Sequence, residues 1–87
     1  MLNIIYTKSF YKSLKKKDQF IQNKTRERIK LFREDPFNIL LNNHALTGEY
    51  KNERSFNITG DYRIIFYLVN KDTVCFTDIG THPELYE

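Results

Sequence analysis

The sequence is poor in cysteine: Cys75 is the single thiol among 87 residues. One thiol cannot close an internal disulfide, and it cannot supply the paired cysteines of a structural zinc site. Because Cys75 lies in a run of strand-forming residues, TVCFTDI, we expect a buried structural thiol and not a nucleophile. The cysteine content therefore gives no indication of a disulfide framework or of a metal site.

Long apolar runs are also missing, since no segment approaches the ~20 residues that a membrane-spanning helix needs. The stretch MLNIIYTKSFYKSLKKK lacks the basic-then-apolar order and the small-residue cleavage site of a signal peptide. Glycine and proline are scarce, at 3 and 2 residues, whereas 7 Phe and 6 Tyr provide material for a core. We therefore expect one compact domain over residues 1–87, located in the cytoplasm and without membrane contact.

Basic residues are concentrated in the part of the chain that precedes Pro36. The whole sequence has 14 Lys and Arg against 11 Asp and Glu, a formal net charge of +3. Ten of these 14 cations, but only four of the carboxylates, lie before Pro36. Such a concentration indicates either a solvated helix surface or a contact surface for nucleic-acid phosphates, and charge alone does not distinguish the two.

The chain begins with a predicted strand and helix. The apolar run at residues 2–6 favours a short strand, and either Thr7 or Ser9 is suited to cap the helix that follows. Apolar residues four positions apart then predict a helix over about residues 9–17. The lysines of this segment would lie on the outside of the helix.

A second helix follows, with Asp18 as its predicted cap. It ends before Pro36, because a residue that precedes proline avoids helical geometry. Its buried side recurs at spacings of four, four and three, at Ile21, Thr25, Ile29 and Phe32. No period holds over residues 36–50, which we interpret as a loop anchored to the core by Leu40, Leu41 and Leu46.

Three strand-like runs, RSFNI, DYRIIFYLV and TVCFTDI, complete the chain and are separated by the turn sequences TGD and NKD. Short turns between β-rich runs predict an antiparallel meander. The full order is β-α-α-β-β-β. We therefore predict an α+β fold in which a helical hairpin packs on one face of a twisted antiparallel sheet.

Alternation along the central strand predicts which side chains share the open face of this sheet. The even positions from Tyr62 to Leu68 are all apolar and should meet the helices, so Asp61 and Arg63 face the other way. A three-residue turn over residues 70–72 places Arg63 opposite Ile79 and Asp61 opposite Thr81. His82 then lies beside Asp61.

The preceding hairpin adds one more polar residue to the same end of the sheet. A loop over residues 59–61 pairs Ile58 with Tyr62 and places Asn57 opposite Arg63. The register turns Asp78 toward the helices, and a bulge near the end of the last strand would relieve that position. We therefore expect the open face to gather a polar cluster of Asn57, Asp61, Arg63 and His82.

Three segments in this order resemble a known family: HALTG from His44, ITGDYRIIFYLV from Ile58, and FTDIGTHPELY from Phe76. Together they are similar to the RelE/ParE superfamily of bacterial type II toxins, and most similar to its YafQ-like branch of ribosome-dependent mRNA interferases. The resemblance spans nearly the whole chain. It implies a RelE-like fold and an endoribonuclease that cleaves mRNA in the ribosomal A site.

The resemblance also implies roles for individual residues. His44, Asp61 and His82 stand at positions that YafQ-like toxins use in catalysis, and an aromatic residue stands where Tyr86 does. Arg63 resembles the arginine that RelE toxins place at the corresponding strand position. The sequence departs from the family at two positions: Asn57 stands where YafQ-like toxins can carry a further histidine, and Asp78 stands where an arginine occurs. These departures leave open how active the protein is.

The chemistry of metal-independent RNA cleavage explains why such residues would gather. A base takes the proton of a ribose 2′-OH, an acid protonates the departing 5′ oxygen, and histidine performs both steps near neutral pH. We assign the acid role to His82 and the base side to His44 and Asp61, with Asp61 acting directly or by orienting an imidazole. No cofactor is required. The substrate-binding residues would be Arg63 and Asn57 at the scissile phosphate and Tyr86 or Tyr62 under an unstacked base.

Two other functions remain open at the level of the sequence. A ParE-like protein with this fold inhibits DNA gyrase by binding and cleaves no RNA. A degenerate, non-toxic member would retain only antitoxin or ribosome binding. Each candidate side chain also has a plain structural interpretation, such as a loop closure at His44 or a hairpin turn at Asp61. The pair of histidines favours the nuclease, because a pure binding protein has no need of groups that titrate near neutral pH.

The resemblance implies several partners. A cognate antitoxin would neutralise the toxin, mRNA in the ribosomal A site would be its substrate, and ribosomal RNA would be bound by the basic helix face. Operator DNA would be bound by the toxin–antitoxin complex through the antitoxin. The excess of cations predicts that the antitoxin segment in contact with this chain is acidic or amphipathic.

Overall fold

The computed structural model describes residues 1–86 and forms one five-stranded sheet in the order β1-β5-β4-β3-β2. Its strands are β1 (Asn3–Tyr6), β2 (His44–Ala45), β3 (Arg54–Thr59), β4 (Tyr62–Asn70) and β5 (Thr73–Thr81). Its helices are α1 (Lys8–Lys15), α2 (Gln19–Glu34) and α3 (His82–Tyr86), with two 3₁₀ turns at Ile39–Leu41 and Gly48–Tyr50. The predicted α+β class, with a helix pair on one face of the sheet, is confirmed.

Side-chain caps start both long helices. Thr7 Oγ1 accepts a hydrogen bond from the Phe10 N–H at 3.1 Å and donates to the Phe76 carbonyl at 2.9 Å, so the start of α1 is tied to β5. Asp18 caps α2 as predicted, because its Oδ1 accepts from the Ile21 N–H at 2.9 Å. The α2 helix ends at Glu34, before Pro36, also as predicted. None of the helices within residues 1–86 is both long and apolar enough to cross a membrane.

The core lies between the helix pair and the inner face of the sheet. Aromatic rings fill it: Phe32 of α2 stacks on Phe56 of β3 with 4.4 Å between ring centroids, and Phe66 and Phe76 meet the same cluster edge-on or tilted. Burying a Phe side chain contributes about 1.5–3 kcal/mol relative to leaving it exposed. This cluster is therefore a main source of stability, and it fixes how α2 crosses the sheet.

The sheet differs from the prediction at both of its edges. Strand β1 runs parallel to β5, with Ile4 opposite Val74. Parallel strands need a long connection, and here the helix pair and strands β2–β4 lie between the two strands in the chain. Strand β2 lies within the segment expected to be a loop and pairs with β3. Of the expected loop anchors, Leu41 is fully buried, but Leu40 is 62% exposed and is not an anchor.

The predicted pairing of β4 with β5 is correct at Phe66 and Phe76 and shifts by one residue beyond them. Thr77 is the extra residue of a bulge, so Arg63 lies opposite Gly80 and not opposite Ile79 as predicted. Asp78 still reaches the helices, where it accepts a hydrogen bond from Ser13 Oγ at 2.8 Å.

The hairpin between β3 and β4 is tighter than predicted. Thr59 pairs with Tyr62, so Gly60 and Asp61 form a two-residue turn, and the expected pairing of Ile58 with Tyr62 is wrong. Gly60 has a φ of 54°, a left-handed conformation that glycine adopts without strain. The pairing of Asn57 with Arg63 is confirmed.

Candidate active site

A shallow cavity of about 230 Å³ lies on the outer face of the sheet, which is the face opposite α1 and α2. Its wall contains both histidines of the chain, together with Arg63 and Tyr86. His44 comes from β2, Arg63 from β4, and His82 and Tyr86 from α3. The fold therefore brings two imidazoles that are distant in sequence to one cavity beside a guanidinium.

His44 is oriented by a hydrogen bond to the backbone. Its Nδ1 lies 2.7 Å from the carbonyl oxygen of Asn42. A carbonyl oxygen only accepts, so Nδ1 carries the hydrogen, and the neutral ring has its free electron pair on Nε2. Asn42 has a φ of 47°, in the left-handed region that asparagine tolerates better than most residues. This local turn, and the pairing of His44 with Ser55, fix the ring.

His82 is placed by a reciprocal cap at the start of α3. The Thr81 N–H donates to Glu84 Oε1 at 2.7 Å, and the Glu84 N–H lies 3.4 Å from Thr81 Oγ1. The sequence THPE has the spacing of such a capping box, a pattern that our sequence analysis overlooked. His82 is consequently the first residue of α3, and it is exposed at the cavity.

Glu84 also ties α3 to the helix pair. Lys17 Nζ lies 3.3 Å from its carboxylate, and the Lys17 side chain is only 11% exposed. The pKa of Glu84 is lowered, first by the hydrogen bond from the Thr81 backbone and then, more weakly, by Lys17. The ionised form of Glu84 is thus the one that holds α3 against the rest of the molecule.

Asp61 is not among the residues that line the cavity, but it contacts two of the candidate residues. Its Oδ2 accepts a hydrogen bond from the backbone N–H of His82 at 3.2 Å, and its Oδ1 lies 3.5 Å from Arg63 Nη2. The prediction that His82 lies beside Asp61 is confirmed. The contact is to the backbone of His82, however, and both carboxylate oxygens are engaged.

Arg63 and Asn57 lie opposite each other on the outer face. The Arg63 side chain is 18% exposed, and its Nε is buried with no hydrogen-bond partner within residues 1–86. The same holds for Oδ1 of Asn57. Within residues 1–86, the long contact to Asp61 is the one hydrogen bond of this guanidinium, which suits a group that receives an anionic ligand.

Tyr86 packs among the other residues of the site. Its ring centroid lies 4.7 Å from that of His82 and 6.0 Å from Arg63 Cζ, and its hydroxyl is buried without a partner in the described part of the chain. Tyr50, which our sequence analysis did not single out, meets Tyr86 edge-on and donates its hydroxyl hydrogen to the Leu85 carbonyl at 2.8 Å. No periodic pattern around Tyr50 could have indicated this contact.

Tyr62 does not line the cavity, although our sequence analysis expected it to offer a stacking surface beside the other candidate residues. It lies on the inner face of the sheet, packs against the core, and has Lys17 Nζ 5.7 Å from its ring centroid. The alternation of β4 accounts for this, because Tyr62 and Arg63 are adjacent and so point to opposite faces.

Comparisons with known proteins identify the family and the fold. A family model described as "Bacterial toxin of type II toxin-antitoxin system, YafQ" matches residues 2–87. Among solved structures, YafQ from E. coli strain BL21(DE3) is similar with a TM-score of 0.80 and 23% identity, and the match covers 100% of both chains. No curated protein sequence matches the chain significantly.

Two further solved structures are similar over almost their whole length. One is the E. coli DinJ-YafQ toxin-antitoxin complex, with a TM-score of 0.77 and 25% identity over 99% of this chain and 98% of the other. The second is a copper-bound mutant toxin from Helicobacter pylori, with a TM-score of 0.70 and 28% identity over 99% of this chain and 100% of the other. The RelE-like fold is therefore shared across these proteins.

Proposed function

Because the chain belongs to the YafQ family of toxins of bacterial type II toxin-antitoxin systems, we propose that it is an endoribonuclease that cleaves mRNA in the ribosomal A site and that a cognate antitoxin neutralises it. The observation that carries this proposal is the pair of imidazoles in one cavity with Arg63. A binding protein gains nothing from two such groups, whereas cleavage through a 2′-OH needs one base and one acid.

His44 is the base in this proposal. Its Nδ1–H is held by the Asn42 carbonyl, so the electron pair of Nε2 is available to accept the 2′-OH proton. The 2′ oxygen then attacks phosphorus while the bond from phosphorus to the 5′ oxygen breaks. His82, in its protonated form, donates a proton to that 5′ oxygen. The products are a 2′,3′-cyclic phosphate and a free 5′-OH.

Arg63 and Asp61 act around this pair. The Arg63 guanidinium binds the scissile phosphate and remains charged as negative charge develops on it, with Asn57 beside it. Asp61 is a positioning residue in this proposal, because its two oxygens contact the His82 backbone and Arg63. Tyr86 packs against the His82 ring and offers an aromatic face on which a base would stack.

The ribosome is the proposed setting of the reaction. The exposed lysines of α1, at positions 8, 12 and 15, form a basic surface next to the sheet. Phosphate contacts of this kind make affinity fall steeply with salt concentration. Ribosome binding by the protein should therefore weaken strongly when the salt concentration is raised.

Inducible expression in bacteria, with mapping of mRNA 5′ ends, tests the proposal. The wild type should produce new 5′ ends within translated codons, and His44→Ala and His82→Ala should not, although both variants should melt at the temperature of the wild type. A gyrase supercoiling assay is run in parallel. Growth arrest with unchanged 5′ ends and lost supercoiling would establish the ParE-like alternative, and a harmless wild type would indicate a degenerate member.

A further inference from the structure

A second cavity, of about 280 Å³, lies on the inner face of the sheet, away from both histidines. We call it the Phe37 cavity; Phe37, Leu68, Arg54 and Lys71 are among its lining residues. Its wall is mostly apolar, and its volume is near the lower end of ligand pockets, ~300 Å³, so it suits one or two apolar side chains.

The Phe37 cavity exists because the helices do not cover the whole inner face of β4. Ile64 and Phe66 are buried under the helices, but Leu68, the next residue on the same face, is 60% exposed. An apolar side chain that stays in water forgoes the favourable free energy of burial. The exposed end of the inner face of β4, at Leu68, is therefore apolar surface that a binding partner would bury.

Exposed apolar side chains are concentrated in the segment that follows α2. Phe37 is 70% exposed, Ile39 91% and Leu40 62%, so three large apolar side chains within four residues face solvent. Of these three side chains, Phe37 lines the cavity itself, and exposed apolar surface at a cavity is typical of interaction sites in soluble proteins.

Two cations, Arg54 and Lys71, line the cavity. Among residues 1–86, no carboxylate lines it. Arg54 is held in place, because its Nε donates to Asn43 Oδ1 at 2.9 Å and its guanidinium lies 5.5 Å from the centroid of the Phe37 ring. A guanidinium that is already ordered loses little entropy when it binds a carboxylate.

We propose that the Phe37 cavity docks an acidic, amphipathic segment of the cognate antitoxin, a partner that comes from the proposed function. Apolar side chains of the segment fill the cavity, and its carboxylates pair with Arg54 and Lys71. The apolar lining disfavours RNA, which would bring phosphates and ribose to a surface with few polar partners. Because this cavity and the histidines lie on opposite faces, neutralisation depends on residues that take no part in cleavage.

The test measures binding and cleavage separately. The probe is the protein encoded beside the toxin gene, purified and titrated onto wild-type toxin and onto Phe37→Asp and Leu68→Asp. Phe20→Asp is the matched control, since Phe20 is 61% exposed on α2 and does not line the Phe37 cavity. Central apolar anchors commonly dominate binding, so each cavity variant should weaken affinity by about tenfold or more, while the control stays within about twofold.

Three results would overturn this inference: equal affinity of all variants, no binding of the probe to wild-type toxin, or loss of RNA binding in place of antitoxin binding. Hydrogen exchange supplies a second readout, and the probe should protect residues 37–41 and 68–71. Ribosome-dependent cleavage by Leu68→Asp should equal that of the wild type. If the wild type cleaves no mRNA but the cavity variants still lose the probe, the nuclease proposal fails and this inference stands.

Discussion

The carboxylate of Asp61 holds the backbone of His82: Oδ2 accepts its N–H at 3.2 Å, and the other oxygen lies 3.5 Å from Arg63. This one side chain links the β3–β4 turn to the start of α3. It therefore sets the distance between the proposed acid and the proposed phosphate-binding residue. A catalytic base in its place would need a free oxygen directed at the substrate.

Substitution of Asp61 distinguishes positioning from catalysis. Asp61→Asn keeps an oxygen that accepts the His82 N–H, so we expect it to retain cleavage within about tenfold, whereas Asp61→Ala loses more than that. If Asp61 were the base, both variants would lose the roughly 10²–10⁴-fold that a general base contributes. Single-turnover cleavage on ribosomes programmed with a short mRNA measures the difference.

His44→Asn tests the assignment of the base. The asparagine amide nitrogen stands at the position of Nδ1 and can still donate to the Asn42 carbonyl, but it cannot take the proton of a 2′-OH near neutral pH. We expect cleavage to fall by roughly 10²–10⁴-fold while ribosome binding and the melting temperature stay unchanged. A His44→Asn variant that cleaves like the wild type would show that the ring only closes the loop.

Periodicity in the sequence was sufficient to predict the helix pair, the meander and the pairing of Asn57 with Arg63. The shift at Thr77 was also recorded in the sequence, because the inward apolar positions run Val74, Phe76 and then Ile79. A spacing of three within a strand is what a bulge produces. A register derived from turn length alone cannot include it.

Other structural features have no local sequence pattern that predicts them. Strand β2 has only two residues, and His44 reaches the cavity because that strand pairs with Ser55 and Arg54. The parallel pairing of β1 depends on how the whole helix pair crosses the sheet, which is a tertiary property. The assignment of Tyr62 to the site had a different cause. Its even position in β4 already placed it on the inner face, but the assignment followed its aromatic character and not this alternation.

Two substitutions of Tyr86 separate the role of its buried hydroxyl from that of its ring. Since that hydroxyl has no partner within residues 1–86, Tyr86→Phe should leave stability unchanged or raise it by up to about 1 kcal/mol, with cleavage intact. Tyr86→Ala removes the ring against which His82 and Arg63 pack, and cleavage should fall about tenfold or more. Tyr62→Phe, on the other face, is the control and should cleave like the wild type. Loss of cleavage in Tyr86→Phe would instead assign a direct role to the hydroxyl.

Glu84 gives a prediction about pH. The Thr81 N–H, and more weakly Lys17, hold the pKa of the Glu84 carboxyl below its usual 4.5. A lowered pKa means that the contribution of Glu84 to stability is complete above about pH 4.5 and disappears as the pH falls through the folded-state pKa. Because the carboxylate is 53% exposed, this contribution stays below about 1 kcal/mol.

Urea unfolding of the wild type and of Glu84→Gln between pH 7 and pH 3 measures that contribution. The glutamine keeps an oxygen for the Thr81 N–H but removes the charge, so the difference in unfolding free energy should be constant down to about pH 5 and shrink below pH 4.5. Glu49→Gln is the matched control, because Glu49 is exposed and forms no ion pair within the described chain. A difference that grows on acidification would mean that the neutral acid, and not the carboxylate, holds α3 and with it His82 at the cavity.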